Sequence, residues 1–482
     1  MNIRSVMQLI SHLLTVIGIA MTVCWGVAMR MGDPHEAVQA LAVSSMITVC
    51  FGLVLYLLTR GPVDLSRRDG FAIVTLGWVI ASVFGALPFY LSGTIVHPVS
   101  AVFETMSGFT TTGASVLAST EHLPRGILFW RALTHFFGGM GVLVLCVAIL
   151  PFLGVGGMQL FRAEMPGPSK DRLTPRIAAT AKLLWAVYVM LVVLETLLLR
   201  AGGMSWFDAS CHSFATIATG GFSTRSQSIA AYNSLYIESV VILFMFLAGC
   251  SFALHYRLLQ GKVGTHFKDP EFRAYLGVLI VVTGVVAVNT WKSVYADFGS
   301  ALRAACFQVT SIMTTTGFAT ADFDRWPLLS RMLLLLLMFV GGCAGSTGGG
   351  IKVVRAMTVF KQMRRETRLF MQPQAVLPVK LGQTSLEPEV VSNIMAFVML
   401  FMMTFITGSL VMSCFTNSPI TAISSVAATL GNIGPGLGLV GPANTYAFIP
   451  PAGQGVLVFL MLLGRLELYT VLVMFLPGFW KR

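Results

Sequence analysis

The chain has 482 residues, 55% hydrophobic and only 11% charged, with a mean hydropathy of +0.79. A soluble protein of this length needs far more charge to cover its surface, so the composition excludes that class and predicts an all-α polytopic membrane protein in contact with lipid. The formal net charge of +12 falls mainly in short loops between apolar runs, the distribution expected of positive-inside sorting, and this speaks against a nucleic-acid partner.

Taken in chain order, apolar segments of bilayer-spanning length, about 20 residues each, lie near 7–29, 37–59, 71–92, 126–153, 179–201, 233–259, 273–291, 327–355, 390–415 and 452–478. The first reads as a membrane helix rather than a removed signal, because it carries no clear small-residue cleavage site and further spans follow. Shorter, half-apolar segments near 98–110, 205–217, 299–314 and 418–430 each run into a turn rich in glycine or threonine. They are too short to span and read as re-entrant pore helices. With the N-terminus inside, 22 of the 32 Lys and Arg residues are cytoplasmic, so both termini are expected in the cytoplasm and the four turns on the outer side. The polar stretch 356–389, with "FKQMRRETRLF", reads as a cytoplasmic basic helix and connector, either a solvated loop or a docking surface. The eight cysteines stand singly, without metal or disulfide spacing.

One unit recurs four times. The turns are Thr110-Thr111-Thr112-Gly113-Ala114, Ile217-Ala218-Thr219-Gly220-Gly221, Thr314-Thr315-Thr316-Gly317-Phe318 and Gly431-Asn432-Ile433-Gly434-Pro435, and their glycines Gly113, Gly220, Gly317 and Gly434 are taken as equivalent. The repeat divides the chain into an N-terminal helix pair and linker (1–69), unit one (70–160), unit two (161–262), unit three (263–360), and a connector with unit four (361–482). Four membrane-pore-membrane units in parallel predict a pseudo-fourfold arrangement around a central pore. Carbonyls held toward one axis can replace the water shell of a cation, and non-helical backbone at membrane depth is tolerated where it lines such a pore. Glycine supplies the backbone angles, and the threonine hydroxyls satisfy nearby backbone.

"GGCAGSTGGGIK", residues 341–352, falls inside the last helix of unit three. It lacks the G-K-[ST] ending of a phosphate loop and its context is an apolar span. So many glycines destabilise a helix interior by about 1 kcal/mol each. The helix is expected to unwind there into a loop below the turns, although small residues also serve close helix packing. Arg465 is a lone guanidinium in "MLLGRLELYTVL", expected to face the pore or to pair with a carboxylate. Glu467 is two positions away and would point elsewhere on one helix.

The stretches "SGFTTTGAS", "WRALTHFFGGMGVLVLCVAILPFLGVGGMQLFRAEMPGPSKD", "SFATIATGGFST", "VGGCAGSTGGGIK", "GNIGPGLG" and "LGRLELYTVLVMFLPGFW" resemble the superfamily of Trk, Ktr and HKT potassium transporters, in particular the membrane subunits of bacterial Trk systems. The resemblance covers nearly the whole chain. It implies potassium uptake across the bacterial inner membrane, a homodimer with one pore per subunit, and a cytosolic nucleotide-binding ring subunit. No cofactor is expected on this chain, and the nucleotide, ATP/ADP or NAD, on that partner alone. Carried over residue by residue, it implies a K+ filter of Thr111, Thr112, Gly113, Ala218, Thr219, Gly220, Thr315, Thr316, Gly317, Asn432, Ile433 and Gly434. It likewise implies a gate of Gly341, Gly342, Gly345, Ser346, Thr347, Gly348, Gly349, Gly350, Lys352 and Arg465. Glycine at all four filter positions implies potassium over sodium. Ile217 and Ala218 stand where the second turn would otherwise have threonines, and the fourth turn departs from the TTTG pattern.

Two other classes compete. An H+- or Na+-coupled symporter would be expected to show inverted repeats and midplane carboxylates; here the repeats are parallel and the intramembrane acids sparse (Glu104, Glu195, Glu467). An enzyme is not expected, because His135 and His212 lack the companions of any catalytic motif.

Overall fold

The computed structural model describes residues 2–62, 65–148, 173–261 and 264–480. The end of the segment predicted at 126–153, and Arg162, Lys170 and Arg172 of the following basic loop, lie outside the described residues.

Two long helices open the chain, α1 (Ile3–Met31) and α2 (His35–Thr59). Gly32, at φ +70° and with no room needed for a side chain, caps α1 and turns the chain back. Small residues then let the pair pack tightly. A Cβ on Gly18 would meet Val49, and one on Gly52 would meet Thr15 and the carbonyl of Ser11. Ser45 donates to the Gly18 carbonyl at 2.9 Å and shares a 2.6 Å hydrogen bond with Thr22, the polar contacts by which helices associate in lipid.

Four units follow. The first has α3 (Arg67–Gly85), the short α4 (Leu87–Leu91), α5 (Pro98–Phe109) and α6 (Arg125–Ala148). In the second are α7 (Leu173–Ala201), α8 (Trp206–Ile217), α9 (Leu235–Gly249) and α10 (Phe252–Leu259). The third contains α11 (Pro270–Thr290), α12 (Phe298–Met313), α13 (Leu328–Val340) and α14 (Val353–Met371). The fourth comprises α15 (Pro388–Met412), α16 (Pro419–Leu430), α17 (Pro451–Arg465) and the short α18 (Tyr469–Leu472). Helices α5, α8, α12 and α16 are the pore helices. Side chains of His97, Ser205, Asp297 and Ser418 cap their N-termini by accepting from backbone N–H groups. A pore helix of 12 residues is about 18 Å long, well short of the roughly 30 Å hydrocarbon layer.

The ten spans read from the sequence are not ten straight helices. Six described helices are long and apolar enough to cross a membrane, and eight if two bent pairs each count as one span. The predicted span 233–259 bends by 103° between α9 and α10, and 452–478 by 111° after Arg465. Hydropathy registers apolar length and is blind to this. The causes are local: the second bend carries two successive left-handed residues, Glu467 at φ +56° and Leu468 at φ +47°. As expected, the third such helix breaks at the glycine run, between Val340 and Val353. The three breaks meet. Cys343 N–H donates to the Gly249 carbonyl at 2.8 Å, Phe252 N–H to Gly345 at 3.0 Å, and Arg465 to Thr347 at 2.7 Å. The basic stretch is helical and continuous with α14, and a two-stranded hairpin (Lys380–Leu381 with Thr384–Ser385) follows it.

Gly52→Val places a branched side chain against α1 and should cost about 1–3 kcal/mol. A lowered thermal-unfolding midpoint of the purified protein checks this; an unchanged midpoint would show that the two helices need not approach so closely.

Candidate functional site

Every pore helix ends with the same backbone device. Two residues past each cap, the N–H of Thr112, Gly220, Thr316 and Ile433 reaches back to the carbonyl of Ser107, Ala215, Ser311 and Ala428 at 2.8, 2.7, 2.9 and 2.8 Å. One residue past the cap, Thr111, Thr219, Thr315 and Asn432 donate to Gly108, Thr216, Ile312 and Thr429. This is the Schellman arrangement, which requires the intervening residue to be left-handed and usually places glycine there. Here Thr111, Thr219, Thr315 and Asn432 take φ of +51°, +55°, +61° and +55°. A left-handed non-glycine residue costs about 1–3 kcal/mol, and such strain collects at functional sites. The sequence reading gave this burden to the glycines alone; the structure shares it with the threonines.

A second left-handed residue follows two places later: Gly113 (+78°), Gly221 (+78°), Gly317 (+81°) and Gly434 (+98°). The equivalence of Gly220 with Gly113 is therefore off by one. Gly221 holds the glycine place in the second turn, while Gly220 stands where the other turns have Thr112, Thr316 and Ile433. The signal was available, since Gly113-Ala114-Ser115 matches Gly221-Phe222-Ser223 better than an alignment on the first glycine.

The turns close into a ring. A Cβ on Gly113 would strike the carbonyl oxygen of Gly220; on Gly221, that of Thr316; on Gly317, that of Ile433; on Gly434, that of Thr112. Each glycine thus faces the next turn's carbonyl, in the cyclic order one, two, three, four, one. All four carbonyls belong to buried residues, and none accepts a hydrogen bond from the described residues. Buried carbonyls are ordinarily paired. Four unpaired on one ring is an arrangement of dipoles suited to a cation.

Polar side chains on the pore helices hold the descending strand of the turns. Glu104, fully buried, accepts from Ser115 Oγ (3.0 Å) and Val116 N–H (2.9 Å) and pairs with Arg131 Nε at 2.6 Å. Arg131 donates to the Ser223 carbonyl at 3.0 Å and lies 3.5 Å over the ring of Phe222, tying turn one to turn two. His212, at the place in α8 that Glu104 holds in α5, contacts Ser223 Oγ at 2.9 Å. Tyr446 donates its hydroxyl to the Gly434 carbonyl at 2.7 Å. In the loop after turn one, hydrogen bonds from the Ser226 hydroxyl and N–H hold the Glu121 carboxyl down to about 2. Glu104, Arg131 and Tyr446 were not singled out as site residues; Arg131, a lone charge in the apolar run "LFWRALTHFF", carried the same signal as Arg465.

The glycine loop lies directly against the ends of the pore helices. Thr347 Oγ1 donates to the Ile217 carbonyl at 2.9 Å, Gly349 N–H donates to Thr315 Oγ1 at 2.7 Å, and a Cβ on Gly349 would meet the Gly431 carbonyl. Left-handed angles at Gly341, Gly345 and Gly350 let the chain fold over itself, while Gly342 and Gly348 pack around Ser346. Lys352 Nζ donates to the Gly348 carbonyl. Arg465, buried, donates to the carbonyls of Thr347 (2.7 Å) and Gly138 (3.4 Å), so it binds backbone rather than a carboxylate in these contacts. Glu467 does point away from it, to Arg355 at 2.5 Å. Glu271 Oε1 accepts from both Ala344 N–H (2.7 Å) and Val354 N–H (3.1 Å), fastening the two ends of the loop.

Fold and site define a multi-pass membrane protein with four re-entrant turns around one axis. A family model described as "Cation transport protein" (TrkH) matches residues 37–481, and the chain belongs to that family, within the Trk, Ktr and HKT membrane subunits. It is 42% identical over 486 residues to the Trk system potassium uptake protein TrkH of Escherichia coli (strain K12), covering 100% of each chain. It is 36% identical over 429 residues to TrkG of the same strain, covering 88% of each. The crystal structure of the potassium transporter TrkH from Vibrio parahaemolyticus superposes with a TM-score of 0.92 at 36% identity, covering 100% of both chains.

Glu104→Ala leaves the Arg131 guanidinium buried without its carboxylate and should cost about 3–5 kcal/mol. The thermal midpoint of the purified protein should fall accordingly, and wild-type stability would remove the pair from its bracing role.

Proposed function

We propose that the chain takes up potassium across the bacterial inner membrane through a channel-like pore whose filter is the ring of four turns. The observation that carries this is the closed cycle in which each left-handed glycine abuts an unpaired carbonyl of the next turn. A carbonyl ring replaces the hydration shell of a monovalent cation without a fixed charge to trap it, so the ion can leave as readily as it enters. The names of the relatives, potassium uptake proteins of Trk systems, favour potassium as that cation.

Residues 341–352 act as the gate. Their hydrogen bonds to Ile217 and Thr315 hold backbone directly under the ring, and Arg465, bonded to Thr347, sets a positive charge beside it. Opening requires these bonds to break together with those of Glu271 at the loop ends. In the same reading the chain works as a homodimer with both termini cytoplasmic. A cytosolic nucleotide-binding ring subunit drives the loop, and the nucleotide resides on that partner.

Two variants test the reading in liposomes. Gly113→Ser and Gly221→Ser should each lower the K+ to Na+ flux ratio about tenfold or more, equivalent to about 1.4 kcal/mol of discrimination; unchanged ratios would sink the ring as filter. Arg465→Gln should raise cation flux while leaving the flux ratio intact. Equal flux would take Arg465 out of the gate.

A further inference from the structure

His135 lies one turn after Arg131 on α6, fully buried, and the proposed uptake function has no use for it. Its ring stacks on Phe222 with centroids 4.1 Å apart and planes at 17°. Neither ring nitrogen has a hydrogen-bond partner among the described residues, so the group contributes its shape rather than a proton or a bond. What that shape occupies is specific. A Cβ built on Gly220 would run into the imidazole of His135, with Nδ1, Cε1 and Cγ its three nearest atoms.

Gly220 is the exception in the ring. The corresponding residues, Thr112, Thr316 and Ile433, all carry branched side chains, and all are buried. The hydroxyls of Thr112 and Thr316 are tied back to Thr110 and Thr314 of their own turns, each at 2.8 Å. Turn two lacks such a side chain, and a glycine with nothing behind it would leave the carbonyl of Gly220 free to rotate. The imidazole fills the place from outside the turn. It is anchored there by Phe222, which belongs to the same turn and also lies under the guanidinium of Arg131. We propose that His135 is a positioning residue of the filter: its ring replaces the side chain missing at Gly220 and thereby fixes the second turn's carbonyl for ion discrimination.

This inference rests on the four turns acting as a filter, and the experiment separates the two. K+ and Na+ fluxes are measured for the purified full chain in liposomes, with wild type as the reference for the filter itself. A wild type that passes both ions equally refutes the filter, whatever His135 does. With a discriminating wild type, His135→Ala should lower the K+ to Na+ flux ratio about tenfold, a change in discrimination of about 1.4 kcal/mol. His135→Phe, which keeps a flat ring on Phe222, should restore most of the ratio. Gly220→Ala should lower the ratio in the presence of His135 and recover part of it when combined with His135→Ala, because the added methyl group then enters the vacated space. A wild-type ratio in His135→Ala overturns the proposal, as does a His135→Phe variant no better than alanine. If His135→Ala yields no folded protein, Gly220→Ala alone decides. A wild-type ratio there overturns the proposal too, since a filled space cannot accept a methyl group.

Discussion

Backbone carbonyls without donors, buried inside a membrane protein, are the constraint on which the rest of this structure depends. Thr112, Gly220, Thr316 and Ile433 present such carbonyls around one ring. Lipid cannot satisfy them and neither do the described residues, which leaves that to whatever occupies the axis of the ring, water or an ion. In the proposed function a potassium ion does so. The pore helices, their caps and the buried braces then have one common purpose, to stop those four oxygens from turning toward any other partner.

Holding them is expensive. Left-handed Thr111, Thr219, Thr315 and Asn432 carry strain that a glycine would avoid, yet at Thr315 and Asn432 glycine would also remove a side chain that bonds across the site. Thr315 accepts the N–H of Gly349, and Asn432 donates from Nδ2 to Thr112 Oγ1 and the Met461 carbonyl, each at 3.0 Å. The first contact joins turn three to the glycine loop, and the second joins turn four to turn one. Strain in the turns is therefore coupled to closure of the ring and to the resting place of the loop. Under the proposed function the loop and the ring of turns share a hydrogen bond, that of Gly349 N–H to the Thr315 hydroxyl.

Much of this was legible in the sequence. Composition gave the class, the recurrence of short helix and turn gave four units, and the glycine density at 341–352 placed the broken helix. Three things were hidden, for physical reasons. Bends at Gly249 and after Arg465 are invisible to hydropathy, which measures apolar length and not direction. The register of turn two is obscured by two adjacent glycines, Gly220 and Gly221; the serine two places on favours Gly221, and the left-handed angle there settles it. The brace from Glu104 through Arg131 to Ser223 joins residues 27 and 92 positions apart, a pairing that local pattern does not encode.

A channel-like ring and a coupled symporter differ in what sets the voltage at which current vanishes. Purified protein in liposomes, given opposed K+ and Na+ gradients, should reverse near the potassium equilibrium potential and stay there when a pH gradient is imposed. A reversal potential that moves with the proton or sodium gradient, or that lies midway between the two ions, would contradict a carbonyl ring selecting potassium.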